Sequence, residues 1–445
     1  MSTQVIFLTG FLGLVAGRQS VAIQVSGAAQ AVRILLGDRQ VALIEPPSWR
    51  TDVDFGTDLT PRELTAVAID RNGNEIARTS QILNLPKPEA EFDIIVSGDR
   101  VALRWRHLTG APPVRTVLTL DGRPLVLDAS LGAALPAVDP AIPHVLAAEL
   151  HFANGFVSRR ELVIQGFRSD TVSTQLTPVA IRDVTSAEPK SGDGCLSDPK
   201  SKGSAVRISA LETPRASVTF VRDPNAPDVA AFLARLPASR RSSSGTMRST
   251  PDLTSVAFHS DVRLDRETFA SMLWPVAEQF RNGQNPSSIL FEPSVGLEAS
   301  RFGLLFLLTS TYNGKAANAP RQFADAVAVA GSRAITGAQR RAVVLVIGSA
   351  RDSSEYRPVD VRRYLASIGV PLYVWSFSGP RPDAVGTWGE VEDVSTMAKF
   401  TAAVNRLRRA LAEQRIAWVN VDPLTALRLE AKERCGIEAM ARATP

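Results

Sequence analysis

Residues 340–377, RRAVVLVIGSARDSSEYRPVDVRRYLASIGVPLYVWSF, constrain the fold of this chain more than any other stretch. Residues 342–347 are a continuous apolar run, too short for a free-standing helix and rich in β-branched side chains. A strand buried on both faces of a parallel sheet reads this way. A polar loop follows over 348–356, and Pro358 stands where the first turn of a helix tolerates proline. Val361, Tyr364, Leu365 and Ile368 then recur at helical spacing, and Gly369 supplies the stop. Residues 372–377 give a second apolar strand. Strand, helix and parallel strand form a right-handed crossover, the unit of a doubly wound α/β sheet. Ligands of such sheets sit beyond the carboxyl ends of the strands, which directs attention to the loop 348–354.

The chain has 445 residues, enough for two to four domains that each bury a core. Its net charge is only +5, and the basic residues are scattered rather than clustered, so the pattern argues against a nucleic-acid partner. Near the start, residues 5–16 are an apolar run of signal-peptide length that ends in the small residues Ala16 and Gly17. The expectation is export, with a mature chain starting near Arg18 and an extracytoplasmic (periplasmic or secreted) location; the alternative is a first buried strand. The segment Leu8-Thr9-Gly10-Phe11-Leu12-Gly13 is no phosphate cradle, because no Gly-Lys-Ser/Thr follows. No stretch is long and apolar enough for a transmembrane span in the mature chain.

From residue 21 to about 165 the chain reads as short strands separated by Gly-Asp, Asp-Gly and Asn-Gly turns. Asp70-Arg71-Asn72-Gly73 between two strand-like runs is the strongest of these hairpin signals. The spacing predicts two small antiparallel sandwiches of immunoglobulin-like type, 18–88 and 89–182. His107, His144 and His151 belong to no motif and read as structural. Residues 183–205 form a polar linker, and 206–445 form the last domain. The fold expected is therefore multidomain: N-terminal β-sandwich modules followed by an α/β doubly wound domain. Within that domain 217–221, 253–264 and 416–421 read as strands. Residues 229–236, 267–280, 323–334 and 400–411 read as helices, and a charged helix over 424–440 closes the chain. Residues 302–308 are left between strand and helix, and 238–251 read as a surface loop.

The order of elements from 217 to 421 resembles a von Willebrand factor A domain, above all in RRAVVLVIGSARDSS, VRRYLASIGVPLYVWS and LAEQRIAWV. The nearest variety is the related type of acidobacterial exported proteins, in which sandwich modules precede the A domain. WRTDVDFGTDLTPRELTAVAIDRNGNEIA from Trp49 and TQLTPVAI over 174–181 extend the likeness into the N-terminal half. The resemblance implies a metal-ion-dependent adhesion site, where oxygen ligands hold a divalent cation whose shell a partner's carboxylate completes. Its first element, Asp-x-Ser-x-Ser, corresponds here to Asp223-Pro224-Asn225-Ala226-Pro227, in which Pro227 offers no ligand. The aspartate expected after the central strand is replaced by Gly348-Ser349, with Asp352 a few residues late. Asp223 and Asp352 are thus the candidate metal residues of a degenerate site, and no cofactor is expected, with Mg²⁺ or Ca²⁺ as the alternative. Asp223, Asn225, Ser349, Arg351, Asp352 and Ser353 are the candidate loops for a protein partner.

Cys195 and Cys435 are the two cysteines, and in an exported chain they make one candidate disulfide. The functional expectation is an exported, non-enzymatic interaction or assembly protein that binds a protein through the top loops. The alternatives are a metal-dependent adhesion protein, or a hydrolase-like enzyme with a nucleophile among 349–354 and His259 as base.

Overall fold

The computed structural model describes residues 3–11, 13–86, 90–107, 110–139, 142–153, 156–165, 168–183, 194–199, 204–235, 262–265, 267–276, 278–279, 289–290, 293–298, 304–309, 320–379 and 386–440. The expected residues 238–251, His259 and most of 253–264 lie outside these.

Alternating side chains fold the first module. Ala31–Leu36 and Arg62–Ile69 turn apolar residues inward, and they pair antiparallel within the four-stranded sheet Arg39–Ile44, Ala31–Leu36, Arg62–Ile69, Glu75–Leu83. This sheet faces a three-stranded one, Gln4–Phe7, Arg18–Ser26, Arg50–Asp54, across a core that includes Val21, Ile23, Ile34, Leu64 and Ala66. At the tip of the Asn-Gly hairpin the Asp70 carboxylate accepts the amides of Asn72 and Asn74, while Gly73 takes the positive φ of 81° that the turn requires. The N-terminal apolar run is part of this sandwich. Gln4–Phe7 pairs with Arg18–Ser26, and Val5 and Val15 are buried in the core. The side chain of buried Asn84 accepts from the Val15 amide at 2.6 Å and donates to the Val15 carbonyl at 3.1 Å, locking residue 15 to the far strand.

The second module has the same construction. A five-stranded sheet, Arg123–Pro124, Arg115–Leu120, Pro143–His151, Val157–Gln165, Arg168–Gln175, packs on the three-stranded Gly132–Ala134, Arg100–His107, Ala90–Ser97. Phe92, Leu103, Leu118, Leu146 and Leu162 fill the space between them. Two β-sandwiches therefore occupy the N-terminal part of the chain.

The expectation of an α/β doubly wound architecture for the remainder is corrected. Among the described residues small antiparallel sheets dominate, and parallel strands occur in one mixed sheet of six strands. That sheet runs in the order Pro293–Glu298, Thr268–Leu273, Ala216–Arg222, Arg340–Ile347, Leu372–Ser376, Glu392–Asp393, with Pro293–Glu298 antiparallel at its edge. Gln414–Val419, expected as its last strand, leaves it altogether. It instead sits between Ile208–Glu212 and Thr177–Asp183 in an antiparallel sheet completed by Ile437–Ala439. Its apolar run suits either kind of sheet, because the strand is almost wholly buried in both cases.

Two further expectations change for similar reasons. Residues 267–280 do not form a helix: Thr268–Leu273 is a strand parallel to Ala216–Arg222, with Ala270 and Met272 facing the core. Residues 424–440 do not form a long helix either. One turn at Pro423–Ala426 gives way to the short strands Glu430–Ala431 and Ile437–Ala439, and Gly436 adopts φ 64° between them. Cys435 is joined to Cys195, with the two Cα atoms 5.7 Å apart. The linker around Cys195 is correspondingly ordered, its strands Leu196–Asp198 and Ser204–Val206 pairing with each other and the former with Glu430–Ala431.

Helices cover both faces of the mixed sheet. Met397–Ala412 and Pro227–Ala234 bury Phe400, Val404, Leu407, Val229 and Phe232 on one side. Phe323–Ala334 and Pro358–Ser367 bury Val327, Ala330, Val361 and Leu365 on the other. The first sandwich leans on this second face: Leu59 is buried within it, the Tyr356 hydroxyl donates to the Leu14 carbonyl, and Arg357 donates to the Thr57 hydroxyl.

Two outcomes test this packing. Asn84→Ala leaves a buried amide and a buried carbonyl of Val15 unpaired, so it should destabilise the protein by about 3 kcal/mol in urea denaturation; a loss under about 1 kcal/mol would show that the N-terminal segment is not held as described. In the second sandwich, His144 Nδ1 lies 2.7 Å from an Asp121 oxygen and Nε2 lies 3.0 Å from the Asp139 carbonyl. The Asp121 bond, helped by that carbonyl, raises the His144 pKa. A raised pKa in the folded state gives stability that is complete below the ordinary histidine value of about 6.5 and is lost as pH rises through the raised value. The melting temperature of wild type should thus exceed that of His144→Gln most at pH 5 to 6, and the gap should narrow above neutrality. A gap independent of pH would overturn the assignment.

Candidate functional site

The carboxyl ends of the parallel strands converge on the loops that follow Arg222, Leu273 and Ile347. Ala216–Arg222 ends with two charged residues that are almost inaccessible, Arg222 at 4% and Asp223 at 6% exposure. Buried charge is costly unless it is paired. The guanidinium of Arg222 lies 5.0 Å from the centre of the Trp274 ring, a cation–π contact supplied by the end of the neighbouring strand. Burial draws its pKa down to about 10, against the opposing pull of Asp223 and then Asp228.

Asp223 has its own partner. One carboxylate oxygen accepts the Asn225 amide at 3.0 Å and the Arg321 Nε at 2.9 Å. Both members of the Arg321–Asp223 pair are more than nine-tenths buried. A guanidinium therefore lies against the first carboxylate of the pattern, the position that a bound cation would share. Gly348 lies close by, where an added Cβ would fall 3.4 Å from the Asp228 carboxylate.

Asp352 serves a different structure. Its oxygens accept the Phe323 amide at 3.0 Å and the Ala324 amide at 3.3 Å, capping the helix Phe323–Ala334. The Ser354 hydroxyl bonds to Asp352 and accepts from Ala324 and Asp325. Asp325 answers from inside the helix by accepting the amides of Glu355 and Tyr356. Its burial raises the Asp325 pKa against those two bonds. The main chain of Asp352 bridges that of Arg321, and the Ser353 amide donates to the Arg321 carbonyl. Asp223 and Asp352 thus both contact the segment at Arg321, the first through the Arg321 side chain and the second beside its main chain. Among the described residues, no group of three or more His, Cys, Asp or Glu side chains could hold a metal.

The remaining candidates form the outer surface. Asn225, Ser349, Arg351 and Ser353 are exposed, around the buried Asp223 and Arg321. Beside them an open cleft of about 580 Å³ is bordered by Asp228, Arg235, Phe377, Ser378 and Ser395. Sequence reasoning missed Arg222, Asp228, Arg321 and Trp274. Arg222 carried a signal, an arginine at the end of an apolar strand directly before Asp223. Arg321 carried none, because it lies 98 residues from its partner in a stretch without periodicity.

No protein-family profile and no curated protein matches this chain. Three solved structures resemble parts of it. The fibronectin(III)-like modules of Clostridium thermocellum CbhA show 12% identity over 36% of this chain and 93% of theirs, at a TM-score of 0.16. A beta-glycosidase from Bacteroides vulgatus shows 11% identity over 37% of this chain and 25% of its own, at a TM-score of 0.24. The central fibronectin-III array of RIM-binding protein shows 6% identity over 43% and 80%, at a TM-score of 0.18. Scores of this size mark local likeness and carry neither fold nor activity over to this chain.

Proposed function

We propose that this is an extracytoplasmic, non-enzymatic interaction protein that engages a protein partner through the loops at the carboxyl ends of the parallel strands, without a divalent cation. The observation that carries this reading is the buried Arg321–Asp223 pair. A hard cation wants about six oxygens, and a guanidinium in bonding contact with Asp223 both blocks approach and neutralises the charge that would attract it. The exposed Asn225, Ser349, Arg351 and Ser353 supply hydrogen-bonding groups on a base held by a buried ion pair and a capped helix. The extracytoplasmic assignment is supported by the Cys195–Cys435 disulfide, a bond that persists in oxidising compartments. The non-enzymatic assignment is supported by the bonding of Asp223, Asp352 and Ser354, each engaged in holding the backbone or Arg321.

Three measurements test the reading. The melting temperature should be the same in EDTA and in millimolar Mg²⁺ or Ca²⁺, since a ligand raises it only by binding the native state. Arg321→Met should destabilise by about 3 kcal/mol, because it strands a buried carboxylate. A metal-dependent rise in wild type that vanishes in Asp223→Ala would replace this reading with metal-bridged adhesion. For the partner, capture from a native envelope extract should be lost in the double variant Arg351→Glu, Ser353→Glu and kept in a variant altered on the far sandwich, such as Arg104→Glu. Equal capture by both variants would remove the loops from the interface.

A further inference from the structure

The opposite end of the mixed sheet holds a second concavity. Arg340–Ile347 has Arg341 near its amino end, roughly 20 Å from Gly348 at about 3.3 Å of rise per residue. There both sandwiches, the antiparallel sheet of Gln414–Val419 and the mixed sheet meet around a cavity of about 540 Å³. That volume falls within the range of small-molecule sites, and junctions between modules are where such sites concentrate. Its walls are largely apolar, with Leu85, Leu176, Ile335, Ile368, Trp418 and Leu427 among them.

Two buried arginines border it. Arg159, 8% exposed, lies 5.0 Å from the centre of the Trp418 ring and is paired with Glu149 and Glu212. Arg341, 5% exposed, differs: its Nε donates to the Gly369 carbonyl at 3.1 Å and its Nη2 to the Ile368 carbonyl at 3.4 Å. Among the described residues no carboxylate pairs with it, and burial alone draws its pKa down to about 10. The two carbonyls lie just past the helix Pro358–Ser367, whose negative end offers about half an elementary charge. A guanidinium has five N–H donors, so two carbonyl bonds leave it short of both partners and countercharge.

From this we infer that the cavity binds a small amphipathic carboxylate, its apolar body against Ile335, Trp418 and Leu427 and its carboxylate directed to Arg341. A carboxylate matches the guanidinium fork and supplies the single negative charge the site lacks. A neutral apolar molecule would fill the same walls and leave the arginine as it is. Nothing in this site involves Asp223, Arg321 or the exposed loops, so it is independent of the partner surface.

Isothermal titration calorimetry of the full chain with octanoate and with 1-octanol tests the inference. Octanoate should bind with one-to-one stoichiometry and at least about tenfold more tightly than octanol, the equivalent of one charge-assisted contact. Leu427 is only half-buried at the cavity wall, so Leu427→Trp should narrow the cavity and weaken octanoate binding at least about tenfold while leaving the melting temperature unchanged. Arg341→Met should weaken octanoate about tenfold and leave octanol unaltered; should this variant not fold, the octanoate-to-octanol ratio on wild type still decides. Equal affinity for the two probes, undiminished octanoate binding in Leu427→Trp, or no octanoate binding at millimolar concentration would each overturn the proposal.

Discussion

All eight residues of Arg340–Ile347 are buried, and the first two are arginines. Six apolar side chains facing both layers fix where the strand must lie; two guanidiniums at its start fix what must surround it. Arg340 donates to the carbonyls of Pro214 and Leu411, which ties the strand to the segment before Ala216–Arg222 and to the end of the helix Met397–Ala412. Arg341 takes the carbonyls beyond Pro358–Ser367, and its main chain exchanges two hydrogen bonds with the buried Gln414 side chain. Gln414 begins the strand that centres the antiparallel sheet. The mixed sheet and its antiparallel neighbour are therefore joined by polar contacts that cannot be exchanged for water without unfolding one of them.

The same logic runs outward from that sheet. Thr177–Asp183 pairs with Gln414–Val419, and Arg415 pairs with Asp183 at 2.7 Å. The Thr177 hydroxyl donates to the Val421 carbonyl at 2.5 Å. Arg159 reaches from the second sandwich to Glu212, which also accepts the Trp418 indole N–H. The disulfide then closes a separation of 240 residues between the linker and the C-terminal strands. Cross-links between distant segments act mainly by shrinking the unfolded ensemble, so a bond of this span holds together pieces that local sequence does not.

That division explains what could be read from the sequence. The strand at 342–347, the helices Pro358–Ser367 and Met397–Ala412, and the Asn-Gly hairpin at residue 73 were legible because each depends on periodicity or turn chemistry within a short stretch of chain. The partnership of Gln414–Val419 was not, since an apolar run does not say which sheet it enters. The helix expected over 267–280 failed because the strand that forms there, Thr268–Leu273, is only six residues long, and its alternation of buried Ala270 and Met272 with exposed Phe269 is too short to stand out from a helical pattern. The helix expected over 424–440 failed because Gly436 and the Cys195 cross-link override a charged, helix-compatible composition. At the candidate site Asp223 and Asp352 were legible as carboxylates, but their roles were not, since Arg321 and the Phe323 amide become neighbours only in the folded chain.

In the proposed reading, an arginine rather than a cation against Asp223 would alter what such a surface can recognise. A metal leaves open coordination positions, and a partner's carboxylate can fill one of them with most of its charge satisfied. A guanidinium bonded to Asp223 in a nearly inaccessible position has no vacancy to offer, and its charge is already balanced there. Under the proposed reading, recognition at these loops would come from shape and from the exposed amide, hydroxyl and guanidinium groups of Asn225, Ser349, Arg351 and Ser353. Such contacts tolerate water and individually contribute little. Affinity would rest on how rigidly the loops are presented, and the Asp352 cap, the Asp325 bonds and the Arg321–Asp223 pair are the groups that hold them.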